Sequence, residues 1–134
     1  MTRVLDASAL IAFLADEVGA ESVQSLLLAP DTQCYAHAVN LCEVYYQAAR
    51  RGGTADAQAV LDKLQVAGVM PRTDIDEAFW HSVGDLKARL IRVSLADCFG
   101  LALAMRVEGE LVTSDHHEFD RVAELEIHPI QFIR

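Results

Sequence analysis

The sequence offers little with which to staple or anchor a fold. Its three cysteines, Cys34, Cys42 and Cys98, are odd in number and form no C-x-x-C pair. That excludes a disulfide framework and a zinc ribbon, and it points to a reducing, cytoplasmic setting. No apolar run approaches the length of a bilayer span, and Met1–Asp6 lacks the charged start and long apolar stretch of a secretory leader. Repeats, linkers and low-complexity stretches are missing as well. Positive charge is scarce: 11 Lys and Arg stand against 20 Asp and Glu, for a net charge of −9. A protein held to nucleic acid mainly through phosphates carries a basic balance. Any RNA handled here must therefore be held locally, by metal ions and a few arginines, and the acidic excess suits a basic partner. Lysine is rarer than arginine, and the pair Arg50-Arg51 reads as a solvated helix end complementing the macrodipole.

What remains is enough for one domain, residues 1–134, because 52 % of the residues are apolar and a chain of this length fills one two- or three-layer interior. Short strands and helices alternate. Arg3–Asp6 reads as a strand running into a helix Ala7–Ala15. A second helix follows Gly19 and ends before Pro30. Gln33–Ala36 is a strand, His37–Arg51 a helix stopped by Gly52 and Gly53, and Asp56–Val66 another stopped by Gly68. Val69–Pro71 is a brief strand before a helix Ile75–Leu90. Ile91–Ser94 links that helix to an apolar one, Leu95–Val107, too briefly to fix their relative direction. Glu110–Thr113 is a strand, and Ile127–Ile133 closes the chain as an edge strand because of Pro129. Strands separated by helices imply an α/β fold with a parallel sheet covered on both faces, and ligands then bind beyond the carboxyl ends of the strands.

Four acids fall at such ends. Asp6 ends the first strand, Asp97 follows Ser94 by three, and Asp115 follows the strand Glu110–Thr113. Each alone is explicable as helix punctuation. Glu43 is less easily explained away: Asn40, Glu43 and Gln47 form a polar stripe apart from the apolar stripe of the same helix, without the Lys or Arg of an ordinary solvated face. Carboxylates converging on one sheet edge repel by ~1 kcal/mol per unit-charge pair at ~4 Å in water and ~4 kcal/mol at an effective dielectric of about 20. Such a cluster persists when something positive sits within it. Oxygen ligands without cysteine favour Mg²⁺ or Mn²⁺ over Zn²⁺. The pair His116-His117 reads as two exposed residues on a short turn, and Glu118 and Asp120 as surface acids. Cys98 lies ~100° around the helix from Asp97 and reads as a small buried residue. Trp80, with Phe79, reads as core or dimer contact.

The runs V-L-D-A-S-A-L-I-A, N-x-x-E at Asn40–Glu43, S-L-A-D at Ser94–Asp97 and T-S-D at Thr113–Asp115 resemble the PIN-domain family, and within it the VapC-type toxins of bacterial toxin–antitoxin pairs. The likeness runs from Val4 to Phe132. It implies a three-layer α/β/α domain with a central parallel sheet of about five strands. It also implies Mg²⁺- or Mn²⁺-dependent cleavage of single-stranded RNA by metal-activated water, often in a homodimer. Asp6, Glu43, Asp97 and Asp115 match the family's acidic positions as catalytic and metal-binding residues, with Ser8, Asn40 and Thr113 in supporting roles. A VapC-type toxin implies an antitoxin protein, for which the charge suggests a basic segment. Competing readings are an RNA-processing nuclease without a toxin role, a non-catalytic PIN-like interaction module, and a phosphatase of the haloacid dehalogenase type. The last wants a second Asp where Ser8 stands.

Overall fold

The computed structural model describes residues 1–134. Five short apolar runs form the strands β1 (Thr2–Leu5), β2 (Gln33–His37), β3 (Val69–Arg72), β4 (Glu110–Thr113) and β5 (Ile130–Phe132). They make one sheet in the order β3-β2-β1-β4-β5, and every pairing is parallel. The six helices are α1 (Ala7–Leu14), α2 (Ala20–Leu28), α3 (Ala38–Ala67), α4 (Glu77–Arg89), α5 (Leu95–Arg106) and α6 (His116–Glu124).

Alternation along the strands sets the three layers, because successive side chains point to opposite faces of a sheet. Val4 and Leu111 face one side and pack with Phe79, Val83 and Leu86 of α4, Leu101 and Leu103 of α5, and Phe119 and Val122 of α6. Leu5 and Val112 face the other and pack with Leu10, Val23, Val44 and Leu64 from α1, α2 and α3. Both faces are covered, which is why the strands read as continuous apolar runs rather than alternating ones. The expected α/β/α architecture with five parallel strands is the one observed.

Most element boundaries agree with the sequence pattern, and the differences have local causes. The two helices expected on either side of Gly52-Gly53 are both present, but they abut without a loop, meeting within α3 at a kink where Gly53 leaves helical geometry (φ 86°, ψ 176°). Gly52 stays helical. The fourth helix begins at Glu77 rather than Ile75, because the Asp76 carboxylate accepts the Phe79 N–H and fixes the start there. Lys87 closes the short Ile91–Ser94 connection by donating to the carbonyls of Ile91 and Val93, and α4 and α5 pack together on one face. β5 is shorter than expected, and it is an edge strand with Pro129 just before it.

The strand order reverses between β1 and β4, each the start of a progression to one side. A crevice forms at such a switch point, beyond the carboxyl ends of the two strands. Asp6 follows β1 directly, and Asp115 lies two residues past β4.

Candidate active site

Asp6 does both of the jobs its position allows. As N-cap of α1, its Oδ1 accepts the Ala9 N–H at 2.9 Å, and it also accepts the Ser8 hydroxyl at 2.7 Å. Its Oδ2 is buried with no partner. Burial outweighs the hydrogen bonds Asp6 accepts and, with repulsion from Asp115, raises its pKa to about 6. An ionised oxygen left bare in this way is costly unless a cation meets it.

Ser8 and Thr113 brace this carboxylate against β4. The Ser8 hydroxyl has one proton, which goes to Asp6, so the 3.2 Å contact between Ser8 and Thr113 has Thr113 as donor. Ser8 Oγ further accepts the Ser114 N–H, and Thr113 Oγ1 accepts the Asp115 N–H, both at 3.0 Å. Three polar residues thereby lock the end of β1 to the end of β4. Asn40 is fully buried on α3 and donates to the Ala96 carbonyl at 3.1 Å, which sets the backbone just ahead of Asp97.

Asp97 lies on the first turn of α5, whose Ser94 cap accepts the Asp97 N–H. Asp115 caps α6 by accepting the Glu118 N–H at 3.0 Å. In a capping box the glutamate at Glu118 would reach back to its own N-cap. Here it reaches across instead and accepts the Ser94 N–H at 3.1 Å. The outcome is a cluster in which ligand oxygens of Asp97, Asp115 and Glu118 all lie within 4.8 Å of one another. Burial, a shared hydrogen bond with Glu118 and repulsion from Asp6, Glu118 and Asp115 push Asp97 far above the ordinary carboxylate range.

Of the four expected acids, Asp97 and Asp115 join this cluster. Asp6 stands close enough to repel Asp97 and itself feels Asp115. Glu43 is half-buried on α3 and outside the tight group. Burial and repulsion from Glu118 raise its pKa. The expectation that Glu118 is a surface acid fails: it is half-buried and central to the cluster. Asp115-x-x-Glu118 put two acids on one helical face, and that spacing was the available signal. The turn expected at His116-His117 is instead the start of α6. His116 stacks on Phe132 (centroids 4.1 Å apart) and bonds to Asp120 and the Arg134 carbonyl. Asp120 is exposed, and Cys98 is buried, as read. Phe79 is core and Trp80 is half-exposed beside it.

The set fits a divalent cation of the hard, oxygen-seeking kind. Crowded carboxylates and a buried orphan oxygen on Asp6 make an anionic, all-oxygen donor set of the kind such an ion takes. Asp97, Asp115 and Glu118 would hold one ion, with the bare Oδ2 of Asp6 beside them.

The PIN domain family model matches residues 3–125. The chain belongs to the PIN domain family. A comparison with curated proteins gave no match. Solved structures of the same fold include VapBC2 from Rickettsia felis bound to a promoter DNA fragment, with a TM-score of 0.75, 17 % identity and 98 % of each chain covered. DNA-bound VapBC from Salmonella typhimurium gives 0.73 at 18 % identity over 100 % of this chain and 99 % of that one. Mycobacterium tuberculosis VapC20, described as a Sarcin-Ricin loop cleaving toxin, gives 0.68 at 15 % identity over 90 % and 94 %. Within this PIN domain, Asp6 and Asp115 follow the two strands between which the strand order turns.

Proposed function

We propose that residues 1–134 form one Mg²⁺- or Mn²⁺-dependent endoribonuclease domain that cleaves single-stranded RNA in the cytoplasm as the toxin of a toxin–antitoxin pair. One observation carries the reading: three carboxylates within 4.8 Å of one another beside an unpartnered, buried Asp6 oxygen. No arrangement of helix caps alone requires that much uncompensated negative charge. The VapBC and VapC20 structures share the fold, which supports the toxin reading and an antitoxin partner.

When bound, a divalent ion polarises a phosphoryl oxygen and makes hydroxide accessible near neutral pH. The chain's own residues supply the rest. Asp6, Asp97, Asp115 and Glu118 hold the charge, while Ser8 and Thr113 keep Asp6 aimed by removing its rotational freedom. Glu43, on α3 and raised above its usual pKa by burial and by Glu118, accepts a proton from the attacking water or orients it. The net charge of −9 repels bulk RNA and attracts a basic segment of an inhibitor, whose arginine would pair with two of these carboxylates. A homodimer is part of the same reading.

The test is cleavage of a labelled single-stranded RNA by the purified chain. Activity should require Mg²⁺ or Mn²⁺ and stop with EDTA, and Asp6→Asn should abolish it while the melting curve shows an intact fold. Cleavage that survives chelation overturns the mechanism. A chain that neither cleaves nor binds Mn²⁺ is an interaction module instead.

A further inference from the structure

A second feature adjoins the carboxylates. A cleft of about 740 Å³ lies between α6 and the α4–α5 connection, lined by Arg89, Arg92, His117, Glu118 and Arg121 among others. Glu118 belongs both to this cleft and to the carboxylate cluster, so the two adjoin at that side chain.

The cations of this acidic chain are not spread evenly in their duties. Arg3, Arg72 and Arg106 are held in ion pairs with Glu110, Asp74 and Asp76. Arg89, Arg92 and Arg121 have no ion pair and are exposed, and all three line the same cleft. The wall carrying Arg92 is fixed, because Lys87 bonds to the carbonyls on either side of it. Of the acids in the cleft, Asp120 is bonded to His116, Glu118 is turned to the Ser94 N–H and the carboxylate cluster, and Glu124 is the third. Ile91 and Leu125, apolar yet 79 % and 53 % exposed, lie among the arginines.

We propose that this cleft is the track along which the backbone of single-stranded RNA approaches the carboxylates, with Arg89, Arg92 and Arg121 each engaging a phosphate. Guanidinium forks match phosphate oxygens, and their planes, like exposed apolar side chains, receive unstacked bases. The proposal takes its destination from the nuclease reading, but binding is measurable without cleavage.

The experiment is fluorescence polarisation of a short fluorescein-labelled single-stranded RNA with the full chain in EDTA, over a range of salt. The double variant Arg92→Gln/Arg121→Gln should bind on the order of tenfold more weakly. Its slope of log affinity against log salt should shrink by about 1.4, from ~0.7 per lost phosphate contact on a single strand. Arg92→Lys/Arg121→Lys should recover most of the slope, and Arg50→Gln/Arg51→Gln should bind like the unaltered chain. With Mn²⁺ present, the double variant should raise KM and leave kcat nearly unchanged. Unaltered affinity and slope in the double variant overturn the track, as does an equal loss in the Arg50/Arg51 control. Loss of a partner protein by the double variant with RNA binding intact also overturns it. If the unaltered chain binds RNA through these arginines yet never cleaves it, the track stands and the nuclease reading falls.

Discussion

The carboxylate of Glu118 accepts the backbone N–H of Ser94 at 3.1 Å, tying the first turn of α6 to the first turn of α5. Two helix starts distant in sequence are drawn together, and Asp97 and Asp115 with them. The bond also occupies a donor that Ser94, as an N-cap residue, would otherwise leave to water. Glu118 is thus a strut and a ligand candidate at once.

Glu118→Gln separates these roles. The amide oxygen still accepts the Ser94 N–H, while one negative charge leaves the cluster. The metal-free protein should melt at the same temperature or higher, and Mn²⁺ affinity by calorimetry should fall on the order of tenfold or more, the scale reached even by changes in residues supporting a metal site. Unchanged Mn²⁺ affinity would remove Glu118 from the ligand set.

The raised pKa of Asp6 gives the metal-free protein an unusual pH dependence. A carboxyl whose folded pKa lies above its unfolded value contributes stability that is present at low pH and lost as pH rises through the folded value. For Asp6 that window runs from about 4 to about 6, and the shift corresponds to roughly 3 kcal/mol. In EDTA the melting temperature should therefore climb as pH falls from 7 to 5, with Asp97 adding in the same direction. Asp6→Asn should flatten the climb, and saturating Mn²⁺ should raise the melting temperature most at neutral pH. A melting temperature that falls steadily over this range would contradict the assigned environment of Asp6.

Asp74 and Asp76 titrate the other way. Arg72 and Arg106 hold Asp74 down to about 2, and Arg106 with the Phe79 N–H does the same for Asp76. Their contribution is present above the ordinary carboxylate range and lost only as pH falls towards 2, so it does not mask the effect of Asp6. Arg106 meets both acids with its two terminal nitrogens and lies over the Phe79 ring. Arg106→Lys should restore little of what Arg106→Ala loses, because one ammonium cannot reproduce the fork. Melting at pH 3, where the clamp still operates in the native protein, should distinguish all three.

The small residue at Gly100 is required by Asn40. A Cβ at Gly100 would lie 2.8 Å from Asn40 Oδ1, in a fully buried position where the amide also holds the Ala96 carbonyl. Gly100→Ala should cost about 1–3 kcal/mol of stability, typical of overpacking, and should lower RNA cleavage by displacing the backbone ahead of Asp97. Adding Asn40→Ala should recover part of the stability and none of the activity. Additive losses in the double variant would show that the two residues do not press on each other.

In a bacterial host, expression of the chain alone should arrest growth, and co-expression with its cognate inhibitor should restore it. Glu43→Gln should be harmless without the inhibitor. If the unaltered chain is harmless at high expression and no partner co-purifies, the toxin role falls and the nuclease role rests on RNA cleavage alone.

The sheet and its helices were legible because apolar runs and glycine stops are local signals. The same holds for Asp6 and Asp115, whose capping positions are written into the residues that follow them, and for Asp97, marked by the Ser94 cap three residues before it. Glu118 read as a surface acid: its spacing from Asp115 hinted at their closeness, but its bond to a backbone N–H on another helix leaves no trace in sequence spacing. His116 and His117 were misplaced on a turn for a related reason. The Asp115 cap and the stacking of His116 on Phe132 make them a helix start, and Phe132 arrives from the last strand. Nor could the pairing of Asn40 with Gly100 be foreseen, since it depends on how closely α3 and α5 approach.

The position of β4 between β1 and β5 has a consequence for synthesis on the ribosome. Leu5 must wait for Val112 as its neighbour in the sheet, and Ser8 for the Ser114 N–H. An emerging chain therefore carries Asp6 for most of its translation without the strand that completes its surroundings. Pairings this distant in sequence also form late in folding. The carboxylate cluster, and any chemistry that depends on it, is therefore completed only near the end of synthesis.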